Sequence, residues 1–156
     1  MINVYVVPEA AMIDQNVGDR FVISIVSPGR VHPNIIGTNV HKFHFHDVTQ
    51  VYEVADGQLI RPMSETIADQ IAEIAIKNVT VKEWIIHCEA GISRSPGVAI
   101  AISKYIKLNP NRKALKKAFP MFNKYVCLLI EQSIEMKIKE LEKEFPVLGC
   151  DGWEGM

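Results

Sequence analysis

At 156 residues and 48% hydrophobic, with 17 basic against 18 acidic side chains, the chain has the size and apolar content of one soluble domain. A net charge of -1 gives no electrostatic case for general binding to nucleic acid or to a membrane surface. Cys88, Cys127 and Cys150 are an odd number without C-x-x-C spacing, so reduced thiols are expected, and neither a disulfide framework nor a zinc knuckle is indicated.

The opening MINVYVVPEA lacks a basic segment followed by a long apolar one, and no apolar run reaches membrane-spanning length. The expected location is cytosolic. INVYVV (2–7) and RFVISIV (20–26) are rich in β-branched and aromatic residues and stop at Pro8 and at Pro28-Gly29, as strands do. VHKFHF (40–45) is a third strand candidate, ending at Asp47. From Pro62 to about Lys77, Ile67, Ile71 and Ile74 recur at helical spacing, with Pro62 tolerated in a first turn that donates no hydrogen bond. KEWIIHC (82–88) reads as a short strand, and residues 95–107 as a helix apolar on most faces, hence buried. RKALKKAF (112–119) reads as a basic helix. The segment 121–145 places Leu128, Ile134, Ile138, Leu141 and Phe145 on one stripe, expected to face the core. The domain is expected to span 1–146, with 147–156 as a loose tail.

Strands alternating with helices predict an α/β fold: a mostly parallel central sheet of about four to five strands, flanked by helices. Sites in such sheets form at the carboxyl ends of the strands. WIIHCEAGISRSPG (84–97) lies at such an end. A strand delivers Cys88, a loop with Gly91 turns, and a helix begins near Ser95 and Pro96. Amides at a helix start lack intrahelical partners, and the loop can turn its own amides to the same point, making an anion cradle. That field favours the ionised thiol at Cys88. Arg94 can offer a planar fork to two oxygens of a tetrahedral anion, so phosphate is the natural ligand. The bland alternative is a buried structural cysteine.

HCEAGISRS (87–95) resembles the signature of the cysteine-based protein tyrosine phosphatases, H-C-x-x-G-x-x-R-[ST], matching every fixed position, and the small size resembles the dual-specificity branch. VISIVSP, HKFHFHD and FPMFNKYV are similar to compact members of that group. The resemblance implies that Cys88 attacks phosphorus to form a phosphocysteine, without a metal or cofactor. Arg94 and the loop amides of Glu89, Ala90, Gly91, Ile92, Ser93 and Arg94 would hold the phosphoryl oxygens. Ser95 matches the hydroxyl that helps the thiolate leave, with a helix cap as its alternative. His87 matches the histidine that orients the loop. Asn123 matches an asparagine that holds the loop, and is equally readable as a cap.

A phosphate ester also needs its leaving oxygen protonated. Asp47, after the strand VHKFHF and 41 positions before Cys88, is the preferred acid; Asp56, 32 positions before it, is the alternative. The Glu89 side chain is expected to point away, since an inward carboxylate would repel the substrate. His44 and His46 would share a strand face, but no third ligand completes a metal set. Cys127 reads as core, and a protective disulfide from Cys127 or Cys150 to Cys88 is a lesser alternative.

The expected activity is hydrolysis of phosphotyrosine, with phosphoserine or phosphothreonine as further substrates, on a phosphorylated protein or peptide. Two alternatives stand beside it. One is a non-protein phosphate: the absence of basic residues in EAGIS argues against an inositide, while RKALKKAF leaves an RNA 5′-phosphate open. The other is a catalytically weak phosphate-binding module.

Overall fold

The computed structural model describes residues 1–144; Phe145 and the expected tail 147–156, Cys150 included, lie outside the described residues. Five strands form one parallel sheet: β1 (Ile2–Pro8), β3 (Phe21–Val26), β5 (Val40–His44), β8 (Glu83–Cys88) and β9 (Leu108–Asn109). Their order is β5-β3-β8-β1-β9, with β8 at the centre. Two short pairs accompany it, β2 (Gln15–Gly18) with β4 (Ile35–Gly37) in parallel, and β6 (Tyr52–Glu53) with β7 (Leu59–Ile60) in antiparallel. The helices are α1 (Glu65–Lys77), α2 (Arg94–Ser103), α3 (Arg112–Ala118) and α4 (Lys124–Glu144). This is the expected mixed α/β domain with a parallel sheet flanked by helices.

A sheet buried on both faces needs strands apolar on both, and β3, FVISIV, is buried at every position. Phe21, Ile23 and Ile25 pack into the main core with Trp84 and Ile86 of β8, under α1, α2 and α4. Val22 faces the other way, into a smaller cluster with Met12 and Val17, where β2 and its neighbours cover the sheet. Each fully buried side chain of this kind contributes about 1.5–3 kcal/mol. The two-residue alternation of β8 decides the site: Trp84, Ile86 and Cys88 share the face of the main core, and His87 takes the opposite one.

Several boundaries differ from expectation. Pro62 lies before α1, which opens at Glu65 because the Ser64 side chain accepts the Ile67 amide and so caps it. The third strand stops at His44, one residue short. The helix after Cys88 starts at Arg94 and ends at Ser103, leaving Leu108–Asn109 to join the sheet edge as β9. Leu128 is 53% exposed and off the core stripe of α4, which runs through Val126, Ile130 and Ile134. Leu128 and Ile134 are six positions apart, about 240° around a helix, so the two cannot share its buried face.

Helix α2 is buried from Arg94 to Ile102, consistent with its all-round apolar composition. Gly97 lets α4 approach: a Cβ there would lie 2.8 Å from the Asn123 carbonyl oxygen. That contact sets the start of α4 against the start of α2, and it brings Asn123 to the phosphate-loop candidate.

Candidate active site

The loop 89–93 leaves the end of β8 and closes on the first turn of α2. Cys88 is 2% exposed, and its Sγ accepts the Gly91 amide at 3.2 Å and lies 3.1 Å from Ser95 Oγ. Gly91 makes this turn possible in two ways. Its φ is +71°, which side-chain-bearing residues rarely adopt, and a Cβ would meet the Pro8 nitrogen at 2.7 Å. Gly91→Ala is therefore expected to lose about 2–5 kcal/mol, from left-handed strain plus a clash against backbone that cannot rotate away. A denaturant midpoint equal to that of the parent chain would show that the loop has room this geometry denies.

Arg94 is buried and anchored from several sides. Nη1 donates to Ser27 Oγ at 3.1 Å and to the Phe45 carbonyl at 2.9 Å, and Nη2 pairs with Glu89 Oε1 at 3.5 Å. Its Nε has no partner among the described residues, although the residue is only 5% exposed. A buried guanidinium N–H left without a partner is costly, and a tetrahedral oxyanion would satisfy it. The Glu89 side chain turns toward the loop after β3: Oε1 accepts the Ser27 amide at 2.8 Å, and Oε2 pairs with Arg30 at 3.0 Å. Arg30 in turn reaches Glu9 at the end of β1.

Burial alone would raise the Glu89 carboxyl, but the Ser27 amide and hydroxyl, with Arg94 and Arg30, outweigh it and hold the group at about 2. A carboxylate depressed in the fold stabilises it above its unfolded value of about 4.5, and that contribution fades as pH falls toward 2. The stability gap between the parent chain and Glu89→Gln is thus expected to stay constant above about pH 5 and to shrink below it. Denaturant melts across that range check the sign; a gap that widens in acid is incompatible with the clamp.

On the other sheet face, His87 Nδ1 lies 3.4 Å from the Cys88 carbonyl and Nε2 2.5 Å from Ser24 Oγ, which is also 2.7 Å from His32 Nδ1. The carbonyl can only accept, so His87 donates from Nδ1; with both rings neutral, Ser24 donates to His87 Nε2 and His32 donates to Ser24. Burial lowers the pKa of His87, and lowers that of His32 to about 4 with help from His44, Lys42 and His87. His87 therefore orients the first loop peptide from behind the sheet, away from the thiol.

The preferred acid candidate is beside this loop. Asp47 Oδ1 accepts both Ser93 Oγ at 2.7 Å and Asn123 Nδ2 at 3.0 Å. Asn123 performs both functions raised for it. Its backbone amide donates to the Ser93 carbonyl and its Oδ1 caps the Val126 amide, so one residue joins the loop, the Asp47 segment and α4. Asp56 is elsewhere, exposed in the β6–β7 turn with Oδ1 accepting the Gln58 amide. Ser95 is not the cap of α2, since Ser93 holds that position, and its hydroxyl is at the sulfur instead.

The lesser candidates are placed as follows. His44 Nε2 bonds the Arg30 carbonyl, and His46 lies beyond the end of β5, so the two do not share a strand face. Cys127 contacts Glu131 at 3.1 Å, and burial, then Glu131, pushes its thiol up to about 12. The basic helix α3 turns Arg112 inward to Glu131 and the Ile100 carbonyl, which withdraws one of its cations from any backbone ligand. Sequence reasoning did not find Ser24, Ser27, Arg30 or His32. They lie far from the motif along the chain, and only the parallel register of β3 against β8 sets the β3 end beside it.

The chain has the fold seen in the crystal structure of PTPMT1 in complex with PI(5)P, at a TM-score of 0.52 and 16% identity, covering 79% of this chain and 81% of that one. The likeness is one of fold. No family model matches the chain, and no curated protein matches it.

Proposed function

We propose that the chain is a metal-independent, cysteine-dependent phosphatase that hydrolyses phosphomonoesters through a phosphocysteine, with phosphotyrosine on a protein or peptide as its principal substrate and phosphoserine or phosphothreonine as further ones. The observation that carries this reading is the buried, unpartnered Nε of Arg94, on a guanidinium otherwise held by Ser27, Phe45 and Glu89, in the loop whose Gly91 amide reaches the Cys88 sulfur. The fold shared with PTPMT1 and the HCEAGISRS signature support it.

In the first step the Cys88 thiolate attacks phosphorus, the P–O ester bond breaks, and Asp47 gives its proton to the departing oxygen. Among the described residues both hydrogen bonds to the Asp47 carboxyl fall on Oδ1, so Oδ2 is the oxygen assigned to the proton. Arg94 and the loop amides meet the charge that grows on the phosphoryl oxygens. In the second step water attacks phosphorus, Asp47 takes its proton, and the P–S bond breaks as Ser95 donates to the sulfur 3.1 Å away. Inorganic phosphate and the starting thiolate result.

A phosphorylated lipid headgroup is the second reading, favoured by the PI(5)P bound to PTPMT1. Against it, residues 89–93 carry one acidic side chain and no basic one. Phosphate release from a phosphotyrosine peptide, a phosphoinositide and a 5′-triphosphate RNA, each with Cys88→Ser as control, tests the assignment. Release that survives that substitution rules out the nucleophile, and preferential release from the lipid or the RNA replaces the substrate.

A further inference from the structure

Behind the sheet, on the face away from the Cys88 sulfur, a buried hydroxyl stands between two imidazoles. Ser24 of β3 and His87 of β8 are partners in the parallel register, so their side chains lie side by side. Ser24 Oγ is 2.5 Å from His87 Nε2 and 2.7 Å from His32 Nδ1. His32 is outside the HCEAGISRS motif, in the segment between β3 and β4, and its ring stands edge-on to that of His44 at 4.5 Å. His44 is itself held by the Arg30 carbonyl, so the His32 ring has a fixed neighbour on the β5 side.

A serine hydroxyl has one hydrogen, and here two ring nitrogens face it. Were that hydrogen given to His32, His87 would need one on Nε2 to reach Ser24 as well as the one Nδ1 gives the Cys88 carbonyl. It would then be a cation, which its burial disfavours. A hydrogen on His32 Nδ1 removes the choice: Ser24 accepts from His32, and its own hydrogen goes to His87. His32 Nε2 is buried and has no partner among the described residues, so no acceptor draws the hydrogen to that side of the ring. The groups facing His32, Lys42 and His44 from β5 and His87 from β8, are cationic or able to become so, which disfavours a second hydrogen on it.

We propose that His32 is a positioning residue for the phosphate loop: by donating from Nδ1 it commits the Ser24 hydrogen to His87 and keeps His87 in the tautomer that bonds the Cys88 carbonyl. That last contact is 3.4 Å, long for a hydrogen bond, and depends on the ring being held from its other nitrogen. In a trans peptide the N–H points opposite the carbonyl, so a carbonyl kept behind the sheet aims the Glu89 amide away from that face. The Glu89 amide is the first of those assigned to the phosphoryl oxygens. This rests on the phosphatase reading above, and it gives that site a residue that acts through two others without touching substrate.

The test enriches the histidine ring nitrogens of the full chain isotopically. NMR near neutral pH then reads which nitrogen of each ring carries hydrogen in the parent, His32→Leu and His32→Asn. Release from a phosphotyrosine peptide and calorimetric titration with inorganic phosphate are measured on the same three proteins. The parent is expected to carry hydrogen on Nδ1 of both His32 and His87. His32→Leu is expected to mix the two tautomers of His87 and to lower kcat/KM and phosphate affinity about tenfold. Asparagine can place its amide N–H where Nδ1 stands, so His32→Asn should restore the single tautomer and come within about twofold of the parent. Hydrogen on His32 Nε2 in the parent, an unchanged His87 in His32→Leu, or equal losses with leucine and asparagine would each overturn the inference, and the first needs no variant to fold. A parent chain that releases phosphate from no ester removes the hydrolase reading, while the His87 tautomer and the phosphate affinity still decide the role of His32.

Discussion

Replacing Cys88 by serine is expected to lower phosphate release by at least about 10⁴-fold while the variant still binds a phosphotyrosine peptide within about threefold of the parent affinity. The asymmetry follows from who does what. In the proposed reaction the sulfur supplies the bond to phosphorus, and an alcohol in its place is not ionised at neutral pH. The proposed grip on the oxyanion is that of Arg94 and the loop amides, and Arg94 is set by Ser27, Phe45 and Glu89 rather than by the thiol. Serine is close to isosteric and can still accept the Gly91 amide. Single-turnover phosphate release and calorimetric titration read the two quantities separately. Turnover within tenfold of the parent would remove the thiol from the chemistry, and loss of binding together with turnover would mean that the loop depends on sulfur for its shape.

The second large effect is expected from Asp47→Asn, with kcat reduced about 10²–10⁴-fold. The amide oxygen can go on accepting from Ser93 and Asn123, so the scaffold is retained and only the transferable proton is lost. A general acid must be protonated to act, so the alkaline limb of the pH–rate profile should flatten in the variant. Esters of strongly acidic phenols need little help in leaving and should show the smallest loss. Asp56→Asn is expected to change kcat less than about twofold, because Asp56 caps a hairpin turn that asparagine also caps. A larger effect at Asp56 than at Asp47 would reverse the assignment.

The β6–β7 hairpin, Arg30 and His32 show why parts of this structure were hidden from sequence reading. The hairpin that carries Tyr52 has strands of two residues each, too short for any alternation to register, although Asp56-Gly57 marks its turn. Arg30 and His32 follow the Pro28-Gly29 break in a segment with no periodicity, and what they touch is set by β3 lying beside β8. Leu128 fell on the wrong face because aliphatic residues occur all around the first turns of α4, and only its packing against α1 and α2 selects the buried set.

The chain's own order of residues determined the local chemistry: a strand run ending on Cys88, a glycine where the backbone must turn, and an arginine opening the next helix. These are short-range matters of hydrogen bonding and steric freedom, so neighbours in sequence suffice to decide them. The placement of Asp47 beside the loop and of Asp56 in the β6–β7 turn, the clamp of Glu89 and Ser27 on Arg94, and the chain of Ser24 and His32 behind His87 were decided only by tertiary structure. Each needs strands far apart in sequence to end at one edge of the sheet, and that register comes from burying both faces of β3 and β8 at once.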